Sequence, residues 1–252
     1  MQRCFVWILA FVACAGVTVA GEEAALPVAE DVLREIDNNL QFDTRKSTTV
    51  MQVVDGRRTR EYRMVVYGRG LDEAAVEYLA PARDRGTRML KEKDNLWLYM
   101  PRAERVQRIS GHMLRQGMMG SDVSYEDMMD GVNFLERYVA EVTGTAVVDD
   151  RPVWRLEATA KDDAVTYPKR ILWVDKEHYI PIRQELFALS GMLLKTWTMT
   201  EIEEIGGRNI PTRMEISDQL RSGSKTVLMM SDISFGIDIA DEIFSLRWLE
   251  RR

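Results

Sequence analysis

The 252-residue chain is poor in cysteine, histidine and positive charge, and each shortage excludes a class of protein. The only cysteines are Cys4 and Cys14 and the only histidines are His112 and His178, so neither a zinc-site spacing nor a disulfide framework is present. Acidic side chains outnumber basic ones by 40 to 34, which argues against a nucleic-acid partner, because phosphate binding needs a basic surface. Phosphate-loop and serine-nucleophile motifs are also absent. We therefore expect a protein that is not an enzyme and has no metal and no cofactor.

The longest uncharged run lies at the start of the chain. Residues 4–20 carry no charge and follow Arg3. A short positive start, an apolar core and small residues up to Ala20 are typical of a secretory signal peptide. The pattern predicts that residues 1–20 are cleaved and that residues 21–252 are exported.

Two alternatives remain for this first segment. A membrane anchor is one, although 17 residues lie at the lower limit for spanning a bilayer. The other is a lipid anchor, since Phe11-Val12-Ala13-Cys14 resembles a lipobox, in which the cysteine is acylated. In that case the protein would be anchored through Cys14.

Beyond the signal, one helix precedes a long series of strands. Val28, Val32, Leu33, Ile36 and Leu40 share one helix face, which predicts a helix over residues 28–40. Apolar and polar residues then alternate, as in strands with one dry face. Turn residues separate the stretches, which predicts one domain built as an antiparallel meander of about ten strands that must curl or close. The strand stretches are residues 47–54, 61–66, 73–80, 86–91, 95–100, 104–109, 132–142, 154–158, 169–175, 180–188, 192–203, 213–217 and 224–233.

Residues 110–131, the methionine segment, interrupt the meander. The segment holds four glycines and five methionines, and Ser124 with Asp127 predicts the capped start of a short helix. Flexible thioethers suit a cover over varied apolar ligands, and they also suit ordinary core filling. Because thioethers bind cuprous copper, a copper carrier is a further alternative.

Four carboxylates cluster in the second half of the methionine segment, and they are Asp122, Glu126, Asp127 and Asp130. They lack the spacing of a calcium-binding loop. Acidic residues are favourable in the first turn of a helix, so we interpret the cluster as a solvated helix start.

Several stretches resemble bacterial outer-membrane lipoprotein-sorting proteins of the LolA-like superfamily. The resemblance covers most of the mature chain and rests on residues 95–101, 105–110, 120–127, 167–170, 173–175 and 181–183, in which 120–127 reads Gly-Ser-Asp-Val-Ser-Tyr-Glu-Asp. It implies a mainly β fold with a few helices, an open, half-closed antiparallel barrel whose helices cover the concave face. It also implies a periplasmic carrier of lipid or lipoprotein acyl chains, with membrane donor and acceptor proteins as partners.

Together these observations predict that residues 21–252 are a single, monomeric lipid- or lipoprotein-binding domain. The alternative is a non-enzymatic envelope sensor, or an interaction or adhesin module of the same fold. The candidate cavity residues are Met64, Val66, Trp97, Tyr99, Trp154, Leu156, Trp197, Met199, Met214 and Ile216. The candidate lid residues are Met113, Met118, Met119, Tyr125, Met128 and Met129. For each of them a filled core is the alternative.

Overall fold

The computed structural model describes residues 25–251. The predicted signal peptide, with Cys4 and Cys14, lies outside the described residues. Among residues 25–251, no helix has the length and apolar character needed to span a membrane.

The thirteen strands of residues 25–251 all belong to one antiparallel sheet. The predicted class is confirmed, and the strand count exceeds the expected ten because every alternating stretch of the sequence forms a strand. The strands are β1 Thr44–Asp55, β2 Arg58–Arg69, β3 Glu73–Ala80, β4 Arg88–Glu92, β5 Asn95–Met100, β6 Arg105–Ile109, β7 Tyr138–Val148, β8 Arg151–Ala160, β9 Lys169–Asp175, β10 Pro181–Phe187, β11 Leu193–Ile205, β12 Arg208–Asp218 and β13 Ser224–Phe235.

The strand order makes the sheet a meander with one long-range pairing. It runs β6-β5-β4-β3-β2-β1-β13-β12-β11-β10-β9-β8-β7, so the first strand pairs with the last and the two edges, β6 and β7, are consecutive in the chain. Residues 110–137 connect these edges and include two short helices. The helices are α1 Ala29–Leu40, α2 Tyr125–Asp130, α3 Phe134–Arg137 and α4 Leu246–Leu249, with 3-10 turns at Pro101–Ala103, Gly111–Arg115, Met118–Gly120 and Asp241–Phe244.

Side-chain alternation in β1 shows how the sheet acquires a dry concave face. Ser47, Thr49, Met51 and Val53 are buried, whereas the residues between them are partly exposed. The register of β1 against β13 shifts after Lys46, and further shifts occur in β2, β7, β10 and β11. Such bulges bend a strand and increase its twist. The sheet is therefore strongly curved, and its two halves face each other across the concave side.

Helix α1 covers the C-terminal half of the concave face. Its buried face, with Val32, Leu33 and Ile36, packs on β7, β8 and β9. Burying each such side chain contributes about 1.5–3 kcal/mol. Trp154 and Leu156, predicted to line a cavity, pack in this filled cluster instead, because α1 occupies the space above them.

Helix α3 stands where the sequence predicts the beginning of strand 132–142. The carboxylate of Asp37 in α1 accepts hydrogen bonds from Phe134 N and Leu135 N, both at 2.9 Å. Burial raises the pKa of Asp37, and these two bonds oppose that rise. The carboxylate satisfies the free amides of a helix start, so the strand begins only at Tyr138.

The convex face of the N-terminal half is also covered. The C-terminal segment packs Ile239, Phe244 and Trp248 on this face. Trp97 and Tyr99 lie against that segment, whereas Leu96 and Leu98 face the concave side. The assignment of Trp97 and Tyr99 to the cavity is therefore wrong. The alternation is right, but both faces of β5 are apolar and covered, so the pattern does not tell which face is concave.

Candidate functional site

A cavity of about 380 Å³ lies in the concave face, between strands β1–β4 and β10–β13. Met51, Met64 and Met89 form part of one wall, and Leu186, Met199 and Leu228 form part of the other. Ligand-binding pockets typically have volumes of about 300–1,000 Å³ and mostly apolar walls. The cavity is therefore large enough and apolar enough for a small apolar ligand.

The candidate cavity residues divide into three groups. Ile216 is fully buried two residues from Met214, outside the lining, and Trp154, Leu156, Trp97 and Tyr99 lie in the packed clusters described above. The candidates that line the cavity are Met64, Val66, Trp197, Met199 and Met214.

The methionine segment lies over the N-terminal half of the cavity. Met118 and Met128 belong to the cavity lining. The other candidate lid residues, Met113, Met119, Tyr125 and Met129, pack against the buried cluster that contains Met51, Tyr62 and Tyr78. The five methionines are all half-buried. The five methionines thus cover the apolar face of the sheet while each stays partly exposed.

A capping box starts the short helix of this segment, as predicted. Ser124 Oγ accepts a hydrogen bond from Asp127 N, and the Asp127 carboxylate accepts one from Ser124 N at 2.7 Å. The preceding turn is held from β2, where Arg60 donates to the carbonyl oxygens of Met119 at 2.9 Å and Gly120 at 3.2 Å. Local sequence therefore shapes the segment, and a distant arginine fixes its position.

Asp127 also ties the segment to the C-terminal half of the sheet. The Tyr167 hydroxyl donates to Asp127 Oδ1 at 2.5 Å, and Lys195 of β11 forms an ion pair with Oδ2. Burial and the adjacent carboxylate raise the pKa of Tyr167, so the hydroxyl keeps its proton and acts as a donor. Both side chains of the ion pair are almost fully buried.

Two further carboxylates of the segment are buried. Asp122 accepts hydrogen bonds from Ser224 Oγ at 2.5 Å and Thr226 Oγ1 at 2.8 Å, both on β13. Asp130 forms ion pairs with Arg137 and Arg170. The cluster does include a helix start, but the expectation that it is solvated is wrong, because each aspartate has a partner on a distant strand that the sequence does not reveal. Within residues 25–251, no group of His, Cys, Asp and Glu side chains has the arrangement of a metal site.

Sequence reasoning missed two cations of the cavity. Arg45 of β1 and Lys91 of β4 both line it. Arg45 occupies the same strand face as Thr49 and Met51, so the alternation of β1 could have indicated its inward position. For Lys91, the buried pattern of β4 has no clear alternation and gave no such signal.

An open antiparallel sheet with helices across its concave face defines a LolA-like fold, and solved structures share it. A LolA superfamily protein from Nitrosomonas europaea is 29% identical, with 88% of this chain and 100% of that one covered and a TM-score of 0.74. A DUF1329 family protein from Desulfovibrio piger is 24% identical, with 87% and 97% covered and a TM-score of 0.81. A domain from Vibrio parahaemolyticus, named for outer-membrane lipoprotein sorting, is 24% identical, with 88% and 98% covered and a TM-score of 0.78.

A family model matches residues 70–251, and the chain belongs to that family, whose description reads "Uncharacterized protein". A comparison with curated proteins gives no match. The resemblance to lipoprotein-sorting proteins of the LolA-like superfamily, inferred from the sequence, is confirmed by the structural neighbours.

Proposed function

We propose that this protein is a periplasmic carrier that binds lipid or lipoprotein acyl chains in its concave cavity. The observation that carries the proposal is the apolar cavity beneath the methionine segment. Support at the level of the family comes from the neighbours, one named for outer-membrane lipoprotein sorting and one for the LolA superfamily. In this proposal the protein holds its cargo without chemical change, so no catalytic group is assigned.

The energetics of such binding follow from the walls of the cavity. Each methylene group moved from water into an apolar site contributes about 0.8 kcal/mol, so a chain of several carbons binds without polar recognition. Methionine side chains are flexible and polarizable, and they adapt to ligands of different shape. Met51, Met64, Met118 and Met128 of the lining would therefore accept chains that differ in length or branching.

Cargo release requires a change in the cover. We propose that residues 21–252 form a single lipid-binding domain that acts as a monomer. In this proposal the methionine segment is the lid of that domain. Because a ligand shifts a conformational equilibrium only through its different affinity for the two states, release needs lid opening or competition by a membrane acceptor protein. The buried ion pair between Asp127 and Lys195 would then be one of the contacts that lid opening must break.

Native mass spectrometry of the protein purified from its own periplasm tests this function. We expect mass additions that dissociate as lipid or acyl chains. A ligand-free protein that retains a stable protein partner would contradict the carrier and favour the sensor or interaction module. Mass measurement of the mature N-terminus, in the same experiment, distinguishes cleavage after Ala20 from an anchor at Cys14.

A further inference from the structure

Two of the charged side chains in the cavity wall form no ion pair with another of residues 25–251. The wall contains six charged residues, and four of them form ion pairs within the protein: Glu73 with Arg69 at 3.0 Å, Asp127 with Lys195, and Asp130 with Arg137 and Arg170. The other two are Arg45 and Lys91, for which the described part of the chain offers no ion pair. Although the whole protein is acidic, the unpaired charge in its cavity is therefore positive.

Arg45 is the more isolated of the two. Its Nε is shielded from solvent and has no hydrogen-bond partner among residues 25–251. Its one described contact is with the ring of Phe42, whose centroid lies 4.5 Å from Cζ. Burial lowers the pKa of Arg45 to about 10, so the guanidinium stays cationic at neutral pH. A shielded N–H donor without an acceptor, such as this Nε, is unfavourable unless a ligand supplies the acceptor.

Lys91 has one hydrogen bond for three donors. Its Nζ donates to the carbonyl oxygen of Leu71 at 2.7 Å, and the side chain is buried. Burial also lowers the pKa of Lys91, since low polarity disfavours the charged form, and the nearby carboxylates of Asp72, Asp130 and Asp94 oppose this shift. The remaining donors are available to a ligand in the cavity.

The strand register places both cations in one row. Arg45 of β1 lies opposite Gly68 of β2, which lies opposite Ala74 of β3, which lies opposite Lys91 of β4. Three strand spacings separate the two cations by roughly 14 Å at the backbone. Of the two residues between them, Ala74 is small, whereas the ring of Phe42 packs over Gly68 and the Arg45 guanidinium lies on that ring. All four residues of the row line the cavity.

Two other polar atoms without a partner lie on the same side. Ser47 Oγ is buried without a hydrogen bond two residues from Arg45 on the concave face of β1. Trp197 Nε1, from the opposite wall, is likewise buried without one among residues 25–251. Farther along β1, Met51 and Val53 are apolar and fully buried under the methionine segment. Along β1, the cavity lining thus changes from the charged Arg45 to the apolar Met51.

We propose that the ligand of this cavity is an amphiphile with an anionic head group, a carboxylate or a phosphate, which Arg45 and Lys91 bind while its chain extends under the methionine segment. The proposal rests on the carrier function proposed above and specifies its ligand class. Charge-assisted hydrogen bonds are about twice as strong as neutral ones, and the apolar walls strengthen them further. The head group thus fixes the orientation, and the chain supplies most of the contact area.

Isothermal titration of the ligand-free protein with four probes tests this ligand class. The probes are dodecanoate, dodecyl phosphate, 1-dodecanol and inorganic phosphate, at concentrations at which no micelles form. We expect at least one anionic amphiphile to bind about tenfold or more tightly than 1-dodecanol, as charge-assisted hydrogen bonds predict. Preference for dodecyl phosphate assigns a phosphate head group, and preference for dodecanoate assigns a carboxylate.

Other outcomes would overturn separate parts of the proposal: the head group, the amphiphilic ligand or the carrier function. Equal affinity for all three C12 probes would remove the head-group assignment and leave the carrier intact. Inorganic phosphate binding as tightly as dodecyl phosphate would replace the amphiphile by a free anion. The absence of binding by any C12 probe would refute the carrier function itself. The comparison uses the unaltered protein, so it does not depend on whether a variant folds.

Single substitutions test whether Arg45 and Lys91 bind the head group. Arg45→Met and Lys91→Met should each weaken binding of the preferred anion about tenfold and leave the affinity for 1-dodecanol within about twofold. Lys46→Met is the matched control, because Lys46 neighbours Arg45 on the same strand but is exposed on the other face. Equal losses for the anion and the alcohol, or an effect of Lys46→Met as large as that of Arg45→Met, would overturn the assignment.

Discussion

The two covers of the concave face hold to the same sheet in different ways. Helix α1 packs Val32, Leu33 and Ile36 into a filled apolar cluster. The methionine segment instead leaves a cavity beneath it and is held through buried carboxylates, Asp122 and Asp127 among them. The methionine segment is suited to opening, because its paired polar groups can exchange their partners for water. Helix α1 is a structural cover, because its filled apolar cluster cannot open without exposing apolar surface to water.

Among the substitutions that distinguish the two covers, Asp127→Asn should have the largest effect, and it should destabilise the methionine segment. Removing one partner of a buried ion pair leaves Lys195 uncompensated, at a cost of about 3–5 kcal/mol. We expect faster hydrogen exchange of backbone amides in residues 118–130, with unchanged exchange in α1, measured by mass spectrometry. Glu126→Gln is the control, because among residues 25–251 Glu126 acts on Lys195 only through space and forms no ion pair with it. Faster exchange in both covers would mean that they open as one unit.

Ile36→Ala tests the filled apolar cluster under α1. Ile36 is fully buried, so the substitution should lower the free energy of unfolding by about 3 kcal/mol through lost contacts and a cavity. Urea denaturation measures the loss, and Glu35→Ala on the exposed face of α1 is the control. The affinity of the folded variant for a C12 amphiphile should stay unchanged. A parallel loss of affinity would place α1 in the binding site.

Asp175→Asn tests whether a charged carboxylate near α1 makes the free energy of unfolding depend on pH. Asp175 is the last residue of β9, and its carboxylate accepts a hydrogen bond from His178 N at 2.8 Å. The carbonyl oxygen of His178 in turn accepts a hydrogen bond from Asn39 of α1 at 2.8 Å. Burial alone would raise the pKa of Asp175, but hydrogen bonds from backbone amides and Arg151 lower it below the ordinary 3.8. The carboxylate therefore stabilises the fold above about pH 4, and this contribution is lost as the pH falls through the lowered pKa.

At neutral pH we expect Asp175→Asn to cost about 1–3 kcal/mol of unfolding free energy. The difference between variant and unaltered protein should shrink as the pH falls below about 4, as measured by urea denaturation between pH 7 and pH 3. A difference that stays constant over this range would contradict the role assigned to the charge.

Met118→Gln should have the smallest effect on stability. Met118 is half-buried over the cavity, so an amide in its place should cost about 1 kcal/mol of folding stability, yet it should weaken binding of a C12 amphiphile about tenfold. Met118→Leu, which keeps the apolar surface, should change neither quantity by much. If stability and affinity fall together with Met118→Gln, the methionine segment is ordinary core.

The fold could be predicted from periodicity because each local signal agreed with its surroundings. The helix predicted over residues 28–40 is observed as Ala29–Leu40, and Ser124 caps α2 as its spacing indicates. Trp97 and Tyr99 were placed on the wrong face because both faces of β5 are covered, the convex one by a C-terminal segment whose role no strand pattern indicates. Alternation gives the two faces of a strand but not which face is concave.

Long-range partners limited the prediction of the site. The link between Asp127 and Lys195 joins residues 68 positions apart, and the row from Arg45 to Lys91 exists only once four strands pair in register. Composition indicates that charges are present but not which of them lack a partner. The methionine segment was recognisable because its signal is local.

The pairing of β1 with β13 has a consequence for how the molecule forms. Residues 44–55 and 224–235 meet in the middle of the sheet, so contacts of very high sequence separation join its halves. Topologies of this kind fold slowly, because the entropy of closing the intervening loop is lost before the contacts form. Met230 and Leu228, contributed by the last strand, complete the cavity wall. A nascent chain can thus complete neither the sheet nor the wall of its binding site until β13 has left the ribosome.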